Sequence, residues 1–332
     1  MSTISLHHDP SGATAQIAVD RGFNCFRWQA VCEGRPIELL WSAPNFAAGE
    51  GRPSGSGIPL LFPFPGRIGR GKFLWEGREW QLEPNDGQGN AIHGFAYDRP
   101  WRIVDQSETR LTAEFQAFRD DPALRERWPA DFLLRATYEL SADSLRLTIA
   151  VGNPSDTPLP WGLGVHPYFR VPLGGARVED CVVTAPVVEQ WELAALVPTG
   201  KREATMICSE LRNGRQLGHG PLDAVFHLKE SPASESQHAR LHDPLAERTL
   251  RLSFSGDFRE CIIYTPPHRE AVCIEPYTCC PDPFRLAAAG ADAGGRVLPP
   301  GGSWNGEVLM QILSDRNPED DQVWKRVHRA AC

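Results

Sequence analysis

Two residues of this sequence, His166 and Glu275, have the chemistry of a proton donor and a proton acceptor. His166 lies within the apolar and aromatic run 161–169, and Glu275 directly follows the apolar residues 271–274. Each is followed by a proline, which biases the backbone before it toward extended geometry and helps to fix the direction of the side chain. A histidine and a carboxylate in apolar surroundings can act as general acid and general base near neutral pH.

Both residues also have a purely structural interpretation. A histidine in an apolar run is more often a hydrogen-bonded core residue than a catalyst. A glutamate at the end of a strand can instead be the buried partner of an arginine in an ion pair. On their own, His166 and Glu275 therefore leave catalysis and structure both open.

Segment 66–72, with the sequence GRIGRGK, matches most of the phosphate-loop pattern G-x-x-x-x-G-K. The match fails at Phe73, which stands where Ser or Thr would hold magnesium. An aromatic hairpin, 73–75 and 80–82, follows instead of a helix whose N-terminus would face phosphate. We therefore exclude nucleotide binding here and interpret the segment as a glycine-rich turn that exposes basic residues.

His93 and Asp223 are polar residues at other turn or strand positions. His93 precedes Gly94, which lets another backbone or a ligand approach closely. Asp223 begins the predicted strand 224–228, where an aspartate commonly stabilises a turn by bonding to its own backbone. Neither residue predicts a site by itself.

The elements that must position these residues are predicted to be strands. Glycine (30 residues) and proline (29 residues) separate short stretches of alternating apolar and polar residues. No alternation of strands with helices appears, which argues against a parallel doubly wound fold. We predict an all-β fold, a single large antiparallel β-sandwich domain over residues 1–332 with few short helices. Beside the strands already named, the predicted ones are 15–20, 23–31, 37–41, 101–105, 110–118, 133–140, 144–152, 178–184, 249–254, 261–264, 271–274 and 307–313.

Helix is predicted at two places, as one or two turns at 122–128 and as a C-terminal helix at about 318–330. The second prediction rests on Asn317 as N-cap, a proline at the first helical position and acidic residues in the first turn. Segments 45–57 and 231–237 are interpreted as surface loops. In 58–71, three prolines inside an apolar stretch exclude an interior helix or a central strand.

Composition excludes several classes of partner. A net charge of -8 offers no attraction to nucleic acid or to an anionic membrane, and no run approaches the ~20 apolar residues that cross a bilayer. Residues 1–20 lack a secretory pattern, so we expect a cytoplasmic protein. We also expect it to be a monomer or a homodimer. The nine cysteines contain no C-x-x-C pair, which predicts neither a disulfide framework nor a zinc site, and most are expected to be buried.

Taken together, the polar residues resemble motifs of the aldose 1-epimerase family (galactose mutarotase-like proteins), in the same order along most of the chain. The similar elements are Arg67 with Ile68 and Gly71 (N-R-I-x-x-G), His93 with Gly94 (H-G-G), 166–169 (H-x-Y-F), Asp223 (the substrate-binding aspartate), Glu275 (the catalytic glutamate) and 298–301 (L-x-P-G). The resemblance implies a β-sandwich that binds a sugar.

The resemblance also implies roles for five residues in anomerisation. Glu275 would remove the proton of the C1 hydroxyl while His166 protonates the ring oxygen, which opens the pyranose; rotation about C1–C2 and reclosure with exchanged roles give the other anomer. His93 would hydrogen-bond near the ring oxygen, and Arg67 and Asp223 would hold hydroxyls. The substrate is then a small sugar, and neither a metal nor another cofactor is required.

Departures from the family pattern leave the sugar open. Gly66 replaces an asparagine and Phe95 replaces the second glycine of H-G-G. Residues 57–63 also resemble the G-I-P-x-x-F-P segment of hexose-6-phosphate 1-epimerases. Because the cations Arg70 and Lys72 lie close in sequence to Arg67, a sugar phosphate is the alternative substrate.

Two other classes are weighed. A non-catalytic carbohydrate-binding protein of the same fold would not need an acid and a base, since recognition of hydroxyls does not require such a pair. A glycosidase that uses Asp223 and Glu275 as paired carboxylates receives little support from the resemblance.

Overall fold

The structure is a computed structural model that describes residues 1–316, almost all of them in strands and the turns between them. In chain order the strands are β1 (Thr3–His8), β2 (Ala13–Ala18), β3 (Asn24–Cys32), β4 (Arg35–Glu38), β5 (Leu60–Leu61), β6 (Arg67–Ile68), β7 (Lys72–Trp75), β8 (Arg78–Gln81), β9 (Ala91–Ile92), β10 (Arg102–Gln106), β11 (Arg110–Gln116), β12 (Leu133–Leu140), β13 (Ser144–Gly152), β14 (Leu159–Trp161), β15 (Gly164–Val165), β16 (Tyr168–Arg170), β17 (Val182–Thr184), β18 (Val187–Ala194), β19 (Val197–Glu203), β20 (Arg215–Gln216), β21 (Asp223–Leu228), β22 (Ser236–Asp243), β23 (Arg248–Ser255), β24 (Glu260–Tyr264), β25 (Ala271–Tyr277), β26 (Arg296–Leu298) and β27 (Ser303–Ser314).

Three α-helices and several 3-10 turns connect the strands. The α-helices are α1 (Ala117–Asp120), α2 (Met206–Asn213) and α3 (Pro283–Ala288). The 3-10 turns are Phe46–Ala48, Pro53–Gly55, Gly69–Gly71, Ala96–Asp98, Pro122–Glu126, Val178–Asp180 and Leu217–His219. None of the helices within residues 1–316 is long and apolar enough to cross a membrane.

Two large antiparallel sheets dominate the fold. The first has nine strands in the order β10-β11-β12-β13-β27-β23-β22-β17-β20, and the second has eight, in the order β19-β18-β21-β24-β25-β15-β5 with β16 also paired to β25. Strands β1 to β4 form a separate meander, and three two-stranded pairs, β6-β9, β7-β8 and β14-β26, complete the described part. The predicted all-β antiparallel sandwich is therefore confirmed.

Alternating side chains build the core from both large sheets. In β13, Leu147 and Ile149 are fully buried between half-buried neighbours, and Phe226 and Ile274 of the eight-stranded sheet belong to the same cluster. Full burial of each such side chain contributes roughly 1.5–3 kcal/mol. Alternation of this kind is what made these strands recognisable in the sequence.

Several local predictions are confirmed. The hairpin β7-β8 pairs Phe73 with Trp80 and buries both rings. The proline-rich stretch 58–71 contains only the two-residue strands β5 and β6, with β5 at the edge of its sheet. The eight cysteines within residues 1–316 are buried free thiols.

Other predictions are wrong. Strand β25 does not end at residue 274, because it runs through Glu275 and Pro276 to Tyr277. Pro276 is tolerated because β15 pairs with β25 through Tyr277 alone, so the side of β25 that faces β15 has no ladder partner at Pro276. The interpretation of 231–237 as a loop also fails at its end, since β22 begins at Ser236.

Strands β1, β9, β14, β15, β16, β18, β19, β20, β22 and β26 and the helices α1, α2 and α3 were not predicted from the sequence. The predicted helix at about 318–330 lies outside the described residues, and the single-domain assignment stays a prediction.

The burial pattern of β13 predicts the stability of two matched variants. Ile149→Ala should lower the free energy of unfolding by about 2–5 kcal/mol, because Ile149 is fully buried. Ile103→Ala, on the edge strand β10 where Ile103 is 42% exposed, should cost less than about 1 kcal/mol. Urea denaturation measures both, and equal losses would contradict the assigned core.

Candidate active site

One face of the eight-stranded sheet forms the floor of a cavity. Residues two apart on a strand point to the same face, and the pairing of β21, β24 and β25 aligns them in rows across the strands. The row of Glu275 contains Ile262 and Val225, and the next row contains Tyr264 and Asp223. All five side chains line the cavity.

His166 stands opposite Glu275 because of the way two short strands pair with β25. Strands β15 and β16 both pair with β25 in the same register, although a break separates the two short strands. The pairs are Gly164 with Tyr277 and Tyr168 with Cys273. His166 and Glu275 lie midway between these two pairs, in the break itself, and directly opposite residues of an antiparallel pair present their side chains on the same face.

Neighbouring tyrosines hold the two side chains in place. His166 Nε2 lies 3.3 Å from Glu275 Oε1, and both residues are buried. The hydroxyl of Tyr277 donates to Glu275 Oε2 at 2.8 Å. The ring of Tyr168 stacks on the His166 ring at 4.7 Å and 4°, while its hydroxyl donates to the carbonyl of Ser54 at 3.0 Å. The acid and base candidates are therefore fixed before any ligand binds.

Burial shifts the two ionisation equilibria in opposite directions. It lowers the pKa of His166 to about 3. It raises the pKa of Glu275 well above the ordinary value; the hydrogen bond from Tyr277 acts the other way, and the negative charge of Asp223 adds to the rise. Because both shifts disfavour the charged forms, the favoured state of the pair over a wide pH range is a neutral His166 with one proton on Glu275. One proton gives one donor and one acceptor.

The opposite wall is anchored by an ion pair between Arg67 and Asp86. Arg67 Nε lies 3.1 Å from Asp86 Oδ2, whose side chain is 1% exposed. Burial acts to raise the pKa of Asp86, but hydrogen bonds from Asn90, Gln88 and Arg67 together lower it to about 2. The carboxylate thus stays ionised and holds the guanidinium at the cavity.

His93 reaches the cavity from a strained turn. Its backbone has a φ of 73° and donates to the carbonyl of Gly66 at 2.9 Å. Such a conformation is uncommon for a residue with a side chain, and it often marks a functional position. The His93 ring lies 5.6 Å from the His166 ring, and its Nδ1 has no hydrogen-bond partner within residues 1–316. Burial and the nearby charges of His166 and Arg67 lower the pKa of His93 well below the ordinary value.

All five residues singled out in the sequence line this one cavity: Arg67, His93, His166, Asp223 and Glu275. The carboxylate of Asp223 makes no hydrogen bond or ion pair with any other residue in the described part of the chain. The structural interpretation of Glu275 as the ion-pair partner of an arginine is wrong, because its contacts are with His166 and Tyr277.

Sequence reasoning missed Asp86, Arg52 and Tyr277, which also contribute to the cavity. Asp86 and Arg52 lie in loops without a periodic pattern. The one available signal was for Tyr277, since a side chain two residues after Glu275 on a strand points to the same face. The thiol of Cys273, two residues before Glu275, lies within 4.8 Å of the ligand atoms of both Glu275 and His166, and this group of three could hold a metal ion.

A family model described as Aldose 1-epimerase matches residues 4–311. The chain belongs to the aldose 1-epimerase family.

The chain is also similar to two curated proteins and to a solved structure. The chain is 30% identical to the Escherichia coli (strain K12) protein YphB over 143 residues, which are 41% of this chain and 46% of that protein. It is 25% identical to YihR of the same strain over 232 residues, 68% of this chain and 70% of that protein. The match thus spans less than half of YphB. A galactose mutarotase-like protein from Clostridium acetobutylicum has the same fold, with a TM-score of 0.81 and 24% identity over 92% of this chain and 93% of that chain.

The buried environment of His166 in this family member predicts that the imidazole does not titrate near neutral pH. With a pKa lowered to about 3, the imidazole stays neutral as pH falls from about 8 to 5, because protonation would require a pH near the lowered value. NMR of the ring protons, with His166 identified by the signal lost in His166→Gln, should show a constant chemical shift over this range. A midpoint near the ordinary value of 6.5 would contradict the prediction.

Proposed function

We propose that this protein is a mutarotase that interconverts the α and β anomers of a free aldose. The observation that carries the proposal is the buried pair of His166 and Glu275, face to face on the floor of an open cavity. The cavity volume is about 260 Å³, slightly below the roughly 300–1,000 Å³ typical of small-molecule sites. That size suits a single sugar ring better than an oligosaccharide.

Ring opening transfers one proton to the pair and takes one proton from it, so a pair that holds a single proton matches the reaction. In ring opening, Glu275 in its carboxylate form takes the proton of the C1 hydroxyl, the C1–O5 bond breaks, and protonated His166 gives its proton to O5. The products are the open aldehyde, a protonated Glu275 and a neutral His166. Reclosure from the other face of the carbonyl returns both protons. The 3.3 Å separation lets the shared proton pass between the two groups, so the pair can start each turnover in the required form.

The other three residues suit the binding of hydroxyls. Arg67 is held by an ionised carboxylate and presents further N–H donors, and Asp223 offers as acceptor a carboxylate that has no partner among residues 1–316. His93, kept neutral by burial, offers both a donor and an acceptor beside His166. A sugar fixed between these groups would present its C1 and O5 atoms to the pair.

A non-catalytic sugar-binding protein is less consistent with this site. Burial of an imidazole and a carboxyl group costs stability, as the opposite pKa shifts of His166 and Glu275 record. Recognition of hydroxyls does not need both an acid and a base, whereas ring opening does.

Two variants test the acid–base assignment. Glu275→Gln and His166→Gln should each lower the enzyme-dependent rate of mutarotation by about 10²-fold or more, because general acid and base catalysis each contribute about that much. Polarimetry of freshly dissolved pure α-glucose and α-galactose, at a pH where the spontaneous reaction is slow, measures the rate.

Glu260→Gln is the matched control for the loss of a buried carboxylate. Glu260 lies on the neighbouring strand β24, is fully buried and accepts from Trp191 at 2.8 Å, but it does not line the cavity. This variant should keep the rate within about threefold. Full activity in both pair variants, with folding unchanged by circular dichroism, would refute the assignment.

A sugar phosphate is the second candidate substrate, favoured by Arg52. Arg52 is exposed at the cavity wall and makes no ion pair within residues 1–316. The cations that the sequence offered for this role fit less well. Arg67 is paired with Asp86, Lys72 donates to Glu79 at 2.8 Å on the outer hairpin, and neither Lys72 nor Arg70 lines the cavity.

Replacement of Arg52 separates the two substrates. If the natural substrate is a hexose 6-phosphate, Arg52→Gln should raise KM for glucose 6-phosphate about tenfold or more and leave KM for glucose unchanged, because only the phosphate interacts with the guanidinium. Coupled or polarimetric assays with both sugars measure this. Equal KM values for the two sugars in the unmodified protein would exclude a phosphate-binding role for Arg52.

A further inference from the structure

Three potential metal ligands of different chemistry meet at the cavity floor. His166 Nε2, Cys273 Sγ and a carboxylate oxygen of Glu275 lie within 4.8 Å of one another, and all three residues are buried. In the part of the chain that the structure describes, no other set of three His, Cys, Asp or Glu ligand atoms lies this close together. The cluster follows from the sheet, because Cys273 and Glu275 point to the same face of β25 and His166 stands opposite them.

We propose that these three atoms bind a thiophilic divalent cation such as Zn²⁺, and that the bound cation inhibits the enzyme. Binding would occupy both the acid and the base, so that no proton could be moved to or from the sugar. The inhibition rests on the proposed mutarotase function, whereas the binding does not.

The distances suit a tetrahedral ion. With Zn–N and Zn–O bonds of about 2.0–2.1 Å, nitrogen and oxygen ligands of one tetrahedron lie about 3.3 Å apart. The separation of His166 Nε2 and Glu275 Oε1 is 3.3 Å. A thiolate at about 2.3 Å from the ion would lie about 3.6 Å from either atom. The Sγ atom of Cys273 is at most 4.8 Å away, so it must approach by no more than about one ångström.

The charges and protons also balance. A thiolate and a carboxylate neutralise the two positive charges of Zn²⁺, so binding leaves no net charge in the buried site. On binding, the thiol proton and the proton shared by the pair are released to solvent, a Zn–S bond forms, and no group is oxidised or reduced. The fourth position would face the cavity, where water or a sugar hydroxyl can complete the tetrahedron.

The surroundings favour a reversible inhibitor over a permanently bound metal. Histidine ligands of resident metals almost always donate their second ring nitrogen to a partner, and loss of that partner typically weakens binding 10–100-fold. The Nδ1 atom of His166 is buried without a hydrogen-bond partner in the described part of the chain. We therefore expect Zn²⁺ to bind in the micromolar range and Mg²⁺, which prefers oxygen ligands, not to bind.

Cysteine variants in the full-length protein, freed of metal by a chelator and gel filtration, test the proposal with Zn²⁺ alone as the probe. Isothermal titration should give one Zn²⁺ site in the parent protein. Cys273→Ser should weaken that binding at least tenfold, and Cys273→Ala should do the same if the serine variant does not fold. The control Cys25→Ser removes a fully buried thiol of β3, outside the cluster, and should change the affinity less than twofold.

A second measurement follows activity in the same proteins. Zn²⁺ should abolish the catalysed mutarotation of the parent and of Cys25→Ser, a chelator should restore it, and Cys273→Ser should keep its rate at Zn²⁺ concentrations that inhibit the parent. Equal Zn²⁺ affinity in the parent and in Cys273→Ser overturns the proposed site. Cys273-dependent binding in a protein without mutarotase activity would retain the metal site and refute the proposed function.

Discussion

The contact between His166 and Glu275 depends on one register. Strand β25 is paired on one side with two short strands that share a register but are separated by a break, and the two residues face each other across that break. A slip of one residue in either short strand would turn the histidine to the opposite face of the sheet. Close packing at Gly164 also constrains this register, because an added Cβ atom there would lie 2.6 Å from the ring of Tyr277.

The break between β15 and β16 determines which backbone groups around His166 are paired. No backbone pairing joins His166 to Glu275 in the break, and the His166 N–H donates to the carbonyl of Pro59 at 3.1 Å, which continues the pairing of β15 with β5. Two ionisable groups can be buried here because neighbouring tyrosines compensate part of the cost, one by a hydrogen bond to the carboxylate and one by stacking on the imidazole. The burial of side chains in the large core beneath the sheet offsets the remaining free-energy cost of burying these two groups.

The sequence predicted the parts of the fold whose burial alternates. Strand β13 was recognisable because one of its faces is buried along its whole length. Strands β18 and β19 were not, because most of their side chains are half-buried or exposed, so neither strand has a continuous buried face. Helix α2 is short, and its first residue, Met206, is 77% exposed, which breaks the apolar stripe of an amphipathic helix.

The residues of the candidate site also divide into those that the sequence could indicate and those that it could not. His166 and Glu275 could be singled out because apolar neighbours and a following proline set each apart, although the sequence placed Glu275 at a strand end when it lies inside β25. Asp86 could not be found, because its importance arises only when the chain folds back and places its carboxylate against Arg67. Periodicity carries no information about such a contact between a loop and a two-residue strand.

The floor of the cavity and its opposite wall are held in shape by different interactions. The floor is set by strand register, where a shift of one residue destroys the whole pattern. The opposite wall consists of the two-residue strand β6, which carries Arg67, and of turns that carry Arg52 and His93, and turns tolerate substitution as long as their backbone geometry survives. One such constraint is visible at Gly94, where a Cβ atom would lie 2.1 Å from the carbonyl oxygen of Phe62. Substitutions in this wall can therefore leave the register of the floor unchanged, and with it the contact between His166 and Glu275.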